Sequence, residues 1–291
     1  MKITVFTPTF NRAYILENLY NSLQSQTYTN FEWLVIDDGS TDNTAELFNN
    51  WIRENKLHIR YHRVENGGKH RAINKATDLA SGELFFIVDS DDYLTEDALE
   101  SIVQWEGTIE NKEEFCGVSG NRGKSKTDLW GTTFEGEYID ASSLERNKKN
   151  ITGDKAEVFY TKLLQKYKFK EFEDENFITE ATVWNRMAAD GYKIRWFNKT
   201  IYICNYLNDG LTNNMKIIFA NNPRGTAYYI NQQIKYYQCN FKGKLSYYNL
   251  YFELVKEKLG LRKAAKYLEV NPIIILSAFM LVSCKKLLTG R

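Results

Sequence analysis

Two aspartates separated by one residue, Asp89 and Asp91, directly follow an apolar run at residues 84–88. Such a run is typical of a buried strand, so both carboxylates are expected at the carboxyl end of that strand. Carboxylate oxygens are ligands that Mg²⁺ and Mn²⁺ prefer, and such a cation neutralises charge on a leaving phosphate group. The pattern therefore predicts a divalent-metal site. The alternative is that these acids only end the strand and favour the N-terminus of the next helix.

A second acidic pair, Asp37 and Asp38, follows another apolar run at residues 31–36. One of these acids can accept a hydrogen bond from the imide N–H of a uracil ring or from a ribose hydroxyl. An Asp-Gly step followed by Ser and Thr is also common in turns and at helix starts. Both interpretations stay open at this point.

A glycine pair lies before a predicted helix and is followed by basic residues. Gly67 and Gly68 would expose backbone N–H groups, and Lys69 and Arg71 add positive charge where a phosphate could bind. A flexible loop with solvated basic residues is the alternative. The segment has neither the Gly-x-Gly-x-x-Gly nor the Walker A spacing, which argues against dinucleotide oxidoreductases and P-loop enzymes.

The elements that must position these residues alternate between strand and helix. Apolar runs predict strands at residues 3–6, 31–36, 59–63 and 84–88, and helical periodicity predicts helices at 13–24, after Asn43, at 72–80 and at 97–103. Asn43 and Glu46 have the spacing of a capping box. This alternation predicts an α/β fold with a parallel sheet and helices on both faces. Ligands of such sheets bind beyond the carboxyl ends of the strands, where the polar segments 7–12, 37–42 and 89–92 would converge.

Later segments are assigned by the same periodicities. A helix is predicted at residues 181–189, a strand pair at 193–206, and helices from about residue 213 to the C-terminus. We accordingly expect one α/β domain at 1–212, with a first part at 1–105 and a second part at 106–212. Residues 213–291 would form a helical extension.

Composition excludes several other classes of protein. The formal charge is only +1 and no dense basic tract occurs, so a nucleic-acid partner is not expected. Four scattered cysteines without a Cys-x-x-Cys pair favour neither a zinc site nor a disulfide framework. The first residues run straight into a strand pattern without the features of a signal peptide, so a cytoplasmic location is expected.

Four segments occur together in this order: Thr7-Pro8-Thr9-Phe10-Asn11-Arg12, Asp37-Asp38-Gly39-Ser40-Thr41-Asp42, Asn66-Gly67-Gly68-Lys69 through Asn74, and Val88-Asp89-Ser90-Asp91-Asp92. As a set they resemble family 2 glycosyltransferases with the GT-A fold. The resemblance implies a mixed, mostly parallel sheet in a catalytic domain at 1–212, with a nucleotide-sugar half at 1–105 and an acceptor half at 106–212. The resemblance implies a nucleotide-sugar donor, usually a UDP-sugar, a divalent cation (Mn²⁺ or Mg²⁺) and inversion at the anomeric carbon. The acceptor would be a carbohydrate or a lipid-linked saccharide of cell-surface polysaccharide synthesis.

The resemblance also implies roles for individual residues. Thr7 and one of Asp37 and Asp38 would contact the base, Asp89 the ribose or the metal, and Asp91 the metal directly. Pro8, Gly68 and Lys69 complete the predicted donor-binding set.

Enzymes of this class need a carboxylate that deprotonates the acceptor hydroxyl. In the family this acid begins a helix and is followed by Arg at +6 and Gly at +11, a pattern that Glu180 matches through Arg186 and Gly191. Asp174, within the acidic cluster at residues 173–175, is the alternative base.

The sequence departs from the family pattern after the last predicted strand. Many members carry a histidine metal ligand there, but this chain has Asn208 and Asp209. Either residue could replace the histidine, and Asp209-Gly210 could equally form a plain turn.

The last third of the chain carries tyrosine pairs and one apolar run. Tyrosines at helical spacing fit a core, a carbohydrate face or a membrane interface. The run at 273–282, followed by Lys285 and Lys286, is too short to span a bilayer. Segment 271–291 could instead lie on an anionic membrane surface, which would place the protein peripherally on the inner face. A buried core helix is the alternative.

Two other functions remain compatible with a nucleotide-binding sheet. A sugar nucleotidyltransferase would need a glycine-rich basic loop after the first strand, and residues 7–12 contain no glycine. A non-catalytic sugar-nucleotide-binding protein would bind the donor without turnover.

Overall fold

The computed structural model describes residues 1–204 and 214–289, with side chains as far as Met280. Within these residues, nine strands form one mixed sheet in the spatial order β3-β2-β1-β4-β8-β6-β9-β5, and β7 pairs with β9. The strands are β1 (Ile3–Thr9), β2 (Phe31–Asp37), β3 (Ile59–Arg63), β4 (Leu84–Ile87), β5 (Tyr93–Leu94), β6 (Phe115–Gly123), β7 (Tyr138–Ala141), β8 (Lys155–Tyr160) and β9 (Lys193–Ile203).

Eleven α-helices occur in the same described part of the chain. They are α1 (Leu16–Gln24), α2 (Thr44–Glu54), α3 (Lys69–Leu79), α4 (Ala98–Gly107), α5 (Thr161–Lys166), α6 (Ala181–Ala189), α7 (Met215–Asn221), α8 (Pro223–Tyr236), α9 (Phe241–Val255), α10 (Leu261–Leu268) and α11 (Pro272–Thr289).

The four N-terminal strands pair in parallel, β1 with β2 and β4, and β2 with β3. Their carboxyl ends therefore lie at one edge of the sheet, where Thr9 pairs with Asp37. Every residue of β4 is buried, which explains its unbroken apolar sequence. Strand β8 joins β4 and β6 in antiparallel pairings, while β9 runs parallel to β6. The predicted mixed α/β sheet is thus confirmed.

Two local predictions were only partly correct. Asn43 is the N-cap residue of helix α2, as predicted, but its side chain makes no capping hydrogen bond. Oδ1 of Asp42 instead accepts from the N–H and the hydroxyl of Thr44, at 3.1 and 2.6 Å. The strand pair expected at 193–206 is, over its described residues, one long strand, β9. Asn198 and Lys199 are exposed in its middle, and the pairing with β6 shifts register there, so the sequence looks like a turn.

The described residues group into two compact units: 1–168 with 186–204, and 169–185 with 214–289. The predicted domain boundary after residue 212 falls outside the described ranges, and the division at that point stays a prediction. In the first unit, Trp33 of β2 lies against Tyr20, Phe48 and Trp51, with ring centroids 5.2–6.2 Å apart. This aromatic cluster packs helices α1 and α2 onto the sheet.

The second unit has its own core, built from helices α8 to α11. Tyr251 is fully buried there, and its hydroxyl donates to the carbonyl of Pro223 at 3.1 Å. Tyr229, Tyr247 and Tyr248 pack partly buried against the same core. These tyrosines therefore serve mainly as core residues. No helix in the described residues is long and apolar enough to cross a membrane.

Candidate active site

The turn that follows β4 gathers three carboxylates and two cations. Asp89 is partly exposed, and its Oδ1 lies 2.6 Å from Nζ of Lys69, the first residue of α3. Its Oδ2 lies 3.4 Å from Nη1 of Arg122 on β6. The turn is closed by a hydrogen bond from the N–H of Asp92 to the carbonyl of Asp89, at 3.2 Å. The carboxylate of Asp89 is thus held between two positive charges.

The protonation of these acids follows from burial and from their mutual repulsion. Burial alone would raise the pKa of Asp89, but Lys69 and Arg122 outweigh it and lower that pKa to about 2. Burial, and then the charge of Asp89, raise the pKa of Asp91. The same two causes raise the pKa of Asp92 to about 8. Crowded carboxylates of this kind are stabilised by an added cation.

The donor set fits a hard divalent cation that is shared with a substrate. No group of three or more His, Cys, Asp or Glu side chains that could hold a metal occurs among the described residues. One or two carboxylates combined with substrate phosphates are, however, the usual surroundings of protein-bound Mg²⁺. Asp89 is already paired with Lys69 and Arg122, so Asp91 is the better placed of the two predicted ligands.

Asp38 organises the glycine pair. Its two carboxylate oxygens accept hydrogen bonds from the N–H groups of Gly67 and Gly68, each at 2.8 Å. Burial raises the pKa of Asp38, opposed by these two N–H groups. Gly68 adopts φ +93°, a conformation that favours glycine. Both N–H groups therefore already donate to Asp38, and the prediction that they are open to a phosphate is wrong.

We call Asp38 with the N–H groups of Gly67 and Gly68 the Asp38 clamp, and residues 89–92 the aspartate turn. The two are joined through the start of helix α3. Gly68 is the residue before helix α3, and Lys69 begins the helix and reaches Asp89. The structure thus brings together four of the predicted residues: Asp38, Gly68, Lys69 and Asp89.

The remaining predicted donor-binding residues support the strand ends. Thr7 is fully buried, and its hydroxyl accepts from the indole N–H of Trp33 at 2.9 Å. Asp37 is also fully buried; Oδ1 accepts from the N–H of Ser40 at 2.8 Å, and Oδ2 accepts from the hydroxyl of Tyr61. Pro8 is partly exposed on β1. Direct donor contacts for these residues stay a prediction.

The candidate base Glu180 belongs to the second unit and directly precedes helix α6. Its carbonyl accepts from the N–H of Val183 at 2.9 Å, which places its partly exposed side chain at the helix N-terminus. In the rival cluster, Glu175 is buried and caps helix α8, accepting from the N–H groups of Arg224 and Gly225, each at 2.8 Å. Asp174 is exposed and has φ +60°.

Sequence reasoning missed two residues that touch the aspartate turn, Arg122 and Tyr202. Arg122 lies in strand β6 and Tyr202 in strand β9, and Tyr202 is fully buried. An arginine within the otherwise buried stretch of β6 was the one available signal, since a buried cation needs an acidic partner. Asn208 and Asp209, the proposed replacements for a histidine, lie outside the described residues.

Comparison with known proteins agrees with this architecture. A GalNAc(5)-diNAcBac-PP-undecaprenol beta-1,3-glucosyltransferase of Campylobacter jejuni is 32% identical over 193 residues. That alignment covers 63% of this chain and 58% of the relative, which is less than two thirds of its length.

Two solved structures share the fold. Staphylococcus aureus TarS 1–349 in complex with UDP-GlcNAc superposes with a TM-score of 0.65 at 18% identity, covering 100% of this chain and 93% of the other. The mannosyltransferase PcManGT from Pyrobaculum calidifontis, in complex with GDP-Man and Mn²⁺, gives a TM-score of 0.57 at 18% identity, covering 99% and 76%. The sequence profile of Glycosyl transferase family 2 matches residues 4–171, more than half of the sequence. The chain therefore belongs to glycosyl transferase family 2.

Proposed function

We propose that this protein transfers a sugar, with inversion, from a UDP-sugar to a carbohydrate or lipid-linked saccharide acceptor in cell-surface polysaccharide synthesis. The observation that carries the proposal is the Lys69–Asp89 pair, which joins the Asp38 clamp to the aspartate turn at the carboxyl edge of the parallel strands. Nucleotides bind at this edge in open α/β sheets. The name of the C. jejuni relative supports a lipid-linked acceptor.

The proposed donor site divides the work among the described residues. A carboxylate oxygen has two lone pairs, so Asp38 can hold its glycine N–H groups and still accept from a uracil imide. Lys69 supplies positive charge for the diphosphate. Asp91, with Asp89 beside it, would hold Mn²⁺ or Mg²⁺, which neutralises charge on the departing diphosphate when bound.

The proposed chemistry is a single displacement. Glu180 accepts the proton of the acceptor hydroxyl, and that oxygen attacks the anomeric carbon on the side opposite the diphosphate. The bond from this carbon to the diphosphate oxygen breaks, and UDP leaves with the electron pair. One displacement inverts the anomeric configuration. The capping of helix α8 by Glu175 supports Glu180 over that neighbour, and Asp174 stays the alternative base.

The C-terminal helix α11 supports a membrane surface as a further partner. Its Ile275 and Ala278 are fully buried, whereas Ile273, Leu276 and Met280 are 68%, 38% and 53% exposed. The exposed three follow one another at spacings of three and four residues, so they lie on one helical face. We call them the α11 stripe. One apolar face of the helix packs against the core of the second unit. A helix that is apolar on its exposed face as well needs a second apolar environment to cover that face.

The charge of the chain is divided in a way that its total of +1 conceals. Residues 213–291 hold thirteen lysines and arginines against three acidic residues, a net charge of +10, which leaves −9 for residues 1–212. A basic segment with an apolar helix face binds anionic lipid headgroups. We therefore propose a peripheral position on the inner face of the membrane, where a lipid-linked acceptor is available.

A panel of UDP-sugars, assayed for UDP release with and without saccharide acceptors, tests the function. Release that depends on an acceptor and on one preferred donor is the expected result. Formation of a nucleotide sugar from a nucleoside triphosphate would support the nucleotidyltransferase instead. Binding of UDP-sugars without turnover under every acceptor condition would support the non-catalytic protein.

A further inference from the structure

Tyr202 of strand β9 lies at the centre of the contacts that hold the aspartate turn. It pairs in register with Arg122 on β6 and with Leu94 on β5, and it is fully buried. Its ring packs edge-on against Phe86 of β4, with centroids 6.1 Å apart. The position of its hydroxyl is therefore fixed by three strands.

The hydroxyl of Tyr202 bridges the two ends of the turn. It accepts a hydrogen bond from the N–H of Asp89 and donates one to Oδ2 of Asp92, each at 2.8 Å. A phenol has one proton to donate, so this proton is committed to Asp92. Removing the hydroxyl would leave the N–H of Asp89 without this partner and Asp92 without this donor.

The ring of Tyr202 also seats the cation that pairs with Asp89. The guanidinium carbon of Arg122 lies 4.0 Å from the ring centroid, at cation–π distance. Nε of Arg122 donates to the carbonyl of Lys155 at 2.9 Å, which fixes the plane of the guanidinium. Nη1 of Arg122 then lies 3.4 Å from Oδ2 of Asp89 and 3.9 Å from Oδ2 of Asp92.

We propose that Tyr202 is the positioning residue of the aspartate turn: its hydroxyl sets the spacing of Asp89 and Asp92 while its ring holds Arg122 against both. Strand β9 thereby determines how well the turn binds a divalent cation and a nucleotide diphosphate. The inference rests on the proposed metal site. Groups that orient metal ligands in this way typically change metal affinity when they are removed.

Tyr202→Phe tests the proposal, because it removes the hydroxyl and keeps the ring that seats Arg122. We expect the affinity for Mn²⁺ in the presence of UDP, measured by electron paramagnetic resonance of free Mn²⁺, to fall roughly 10-fold to 100-fold. Tyr160→Phe is the matched control. Its hydroxyl also donates to a carboxylate, Glu106 at 3.1 Å, and Tyr160 pairs with the opposite end of β4 at Leu84.

The outcomes separate the positioning role from a structural one. Unchanged Mn²⁺ affinity in Tyr202→Phe, with Tm lowered as much as in Tyr160→Phe, would overturn the proposal. If Tyr202→Phe does not fold, Arg122→Lys replaces it: it keeps the charge and loses the planar stacking, and Mn²⁺ affinity equal to wild type would then overturn the proposal. Wild-type protein that binds no Mn²⁺ with UDP would instead contradict the metal site itself.

Discussion

Nζ of Lys69 lies 2.6 Å from Oδ1 of Asp89, so the first residue of helix α3 is tied to the turn after strand β4. The pair joins two segments that separately resemble loops. Gly68, one residue earlier, is held by Asp38, so a shift in the glycine pair would reach Asp89 through Lys69. The proposed nucleotide-binding end and the proposed metal-binding end of the site are thereby coupled within the first unit.

Lys69→Met removes the charge and keeps most of the side-chain length. We expect the Kd for UDP, measured by calorimetry, to rise roughly 10-fold to 100-fold, because a charge-assisted contact to phosphate is lost. Lys75→Met, an exposed position on the same helix, is the control and should bind UDP normally. Equal weakening in both variants would indicate a nonspecific charge effect and contradict the assigned role.

Asp91→Asn tests the metal site. Turnover, followed as UDP release, should require Mn²⁺ or Mg²⁺, stop in excess chelator and recover when the metal is restored. We expect the variant to lose about 100-fold or more in kcat, because charge on the leaving diphosphate is less well neutralised. Glu96→Gln, an exposed acid near the turn, should retain activity. A fully active enzyme in chelator would refute the metal requirement.

The ends of the parallel strands were predictable because each combines an unbroken apolar run with a polar cluster, as at Asp37 and Asp89. Arg122 and Tyr202 were not, because they are 33 and 113 residues from Asp89 and meet it only through the register of β6 and β9. That register includes shifts that a period-two pattern does not reveal.

The role of Asp38 shows a different limit. Its acidic side chain and its place at a strand end were readable, but its two bonds to a loop 29 and 30 residues away were not. The same pattern of residues is compatible with an acid that contacts a ligand and with an acid that holds a loop. Only the packing of the folded chain distinguishes these two roles.

The pKa of Glu32 predicts how the free energy of unfolding depends on pH. It is buried on β2, where Oε1 accepts from Thr4 and from the N–H of Ser81, each at 2.7 Å, and Oε2 lies 2.9 Å from Nη1 of Arg60. Burial would raise its pKa, but these donors lower it from 4.5 to about 2. A lowered carboxylate pKa stabilises the fold above the unfolded value, and this contribution is lost as pH falls from about 4.5 to about 2.

Glu32→Gln should therefore lower the free energy of unfolding at pH 7 by about 3 kcal/mol, measured by urea denaturation. The difference from wild type should shrink as the pH falls below about 4.5, since the wild-type carboxylate loses its advantage when protonated. Glu83, the residue before β4, is exposed, so Glu83→Gln should change the free energy of unfolding little. A difference that is constant from pH 7 to pH 3 would contradict the assigned pKa.

Membrane binding by the α11 stripe can be tested with substitutions that leave the core of the second unit unchanged. Ile273→Ser with Met280→Ser changes only exposed side chains and leaves the buried Ile275 and Ala278 in place. We expect sedimentation with phosphatidylglycerol vesicles to fall roughly tenfold, as buried apolar area is lost. Ile217→Ser, 63% exposed on helix α7, is the control. Binding unchanged in the double variant, or equal on neutral vesicles, would count against the surface; concentration-dependent dimers of wild type would assign the stripe to self-association.

Glu180→Gln is the sharpest test of mechanism, because it keeps the shape of the side chain and removes its basicity. Loss of a general base should lower kcat by roughly 10²–10⁴ while the Kd for UDP stays nearly unchanged. Asp174→Asn, which alters an exposed acid of the rival cluster, should cost far less. The reverse order of the two effects would move the base to Asp174. If both variants turn over at nearly the wild-type rate, the base lies elsewhere, and the assignment of Glu180 from its spacing to Arg186 and Gly191 fails.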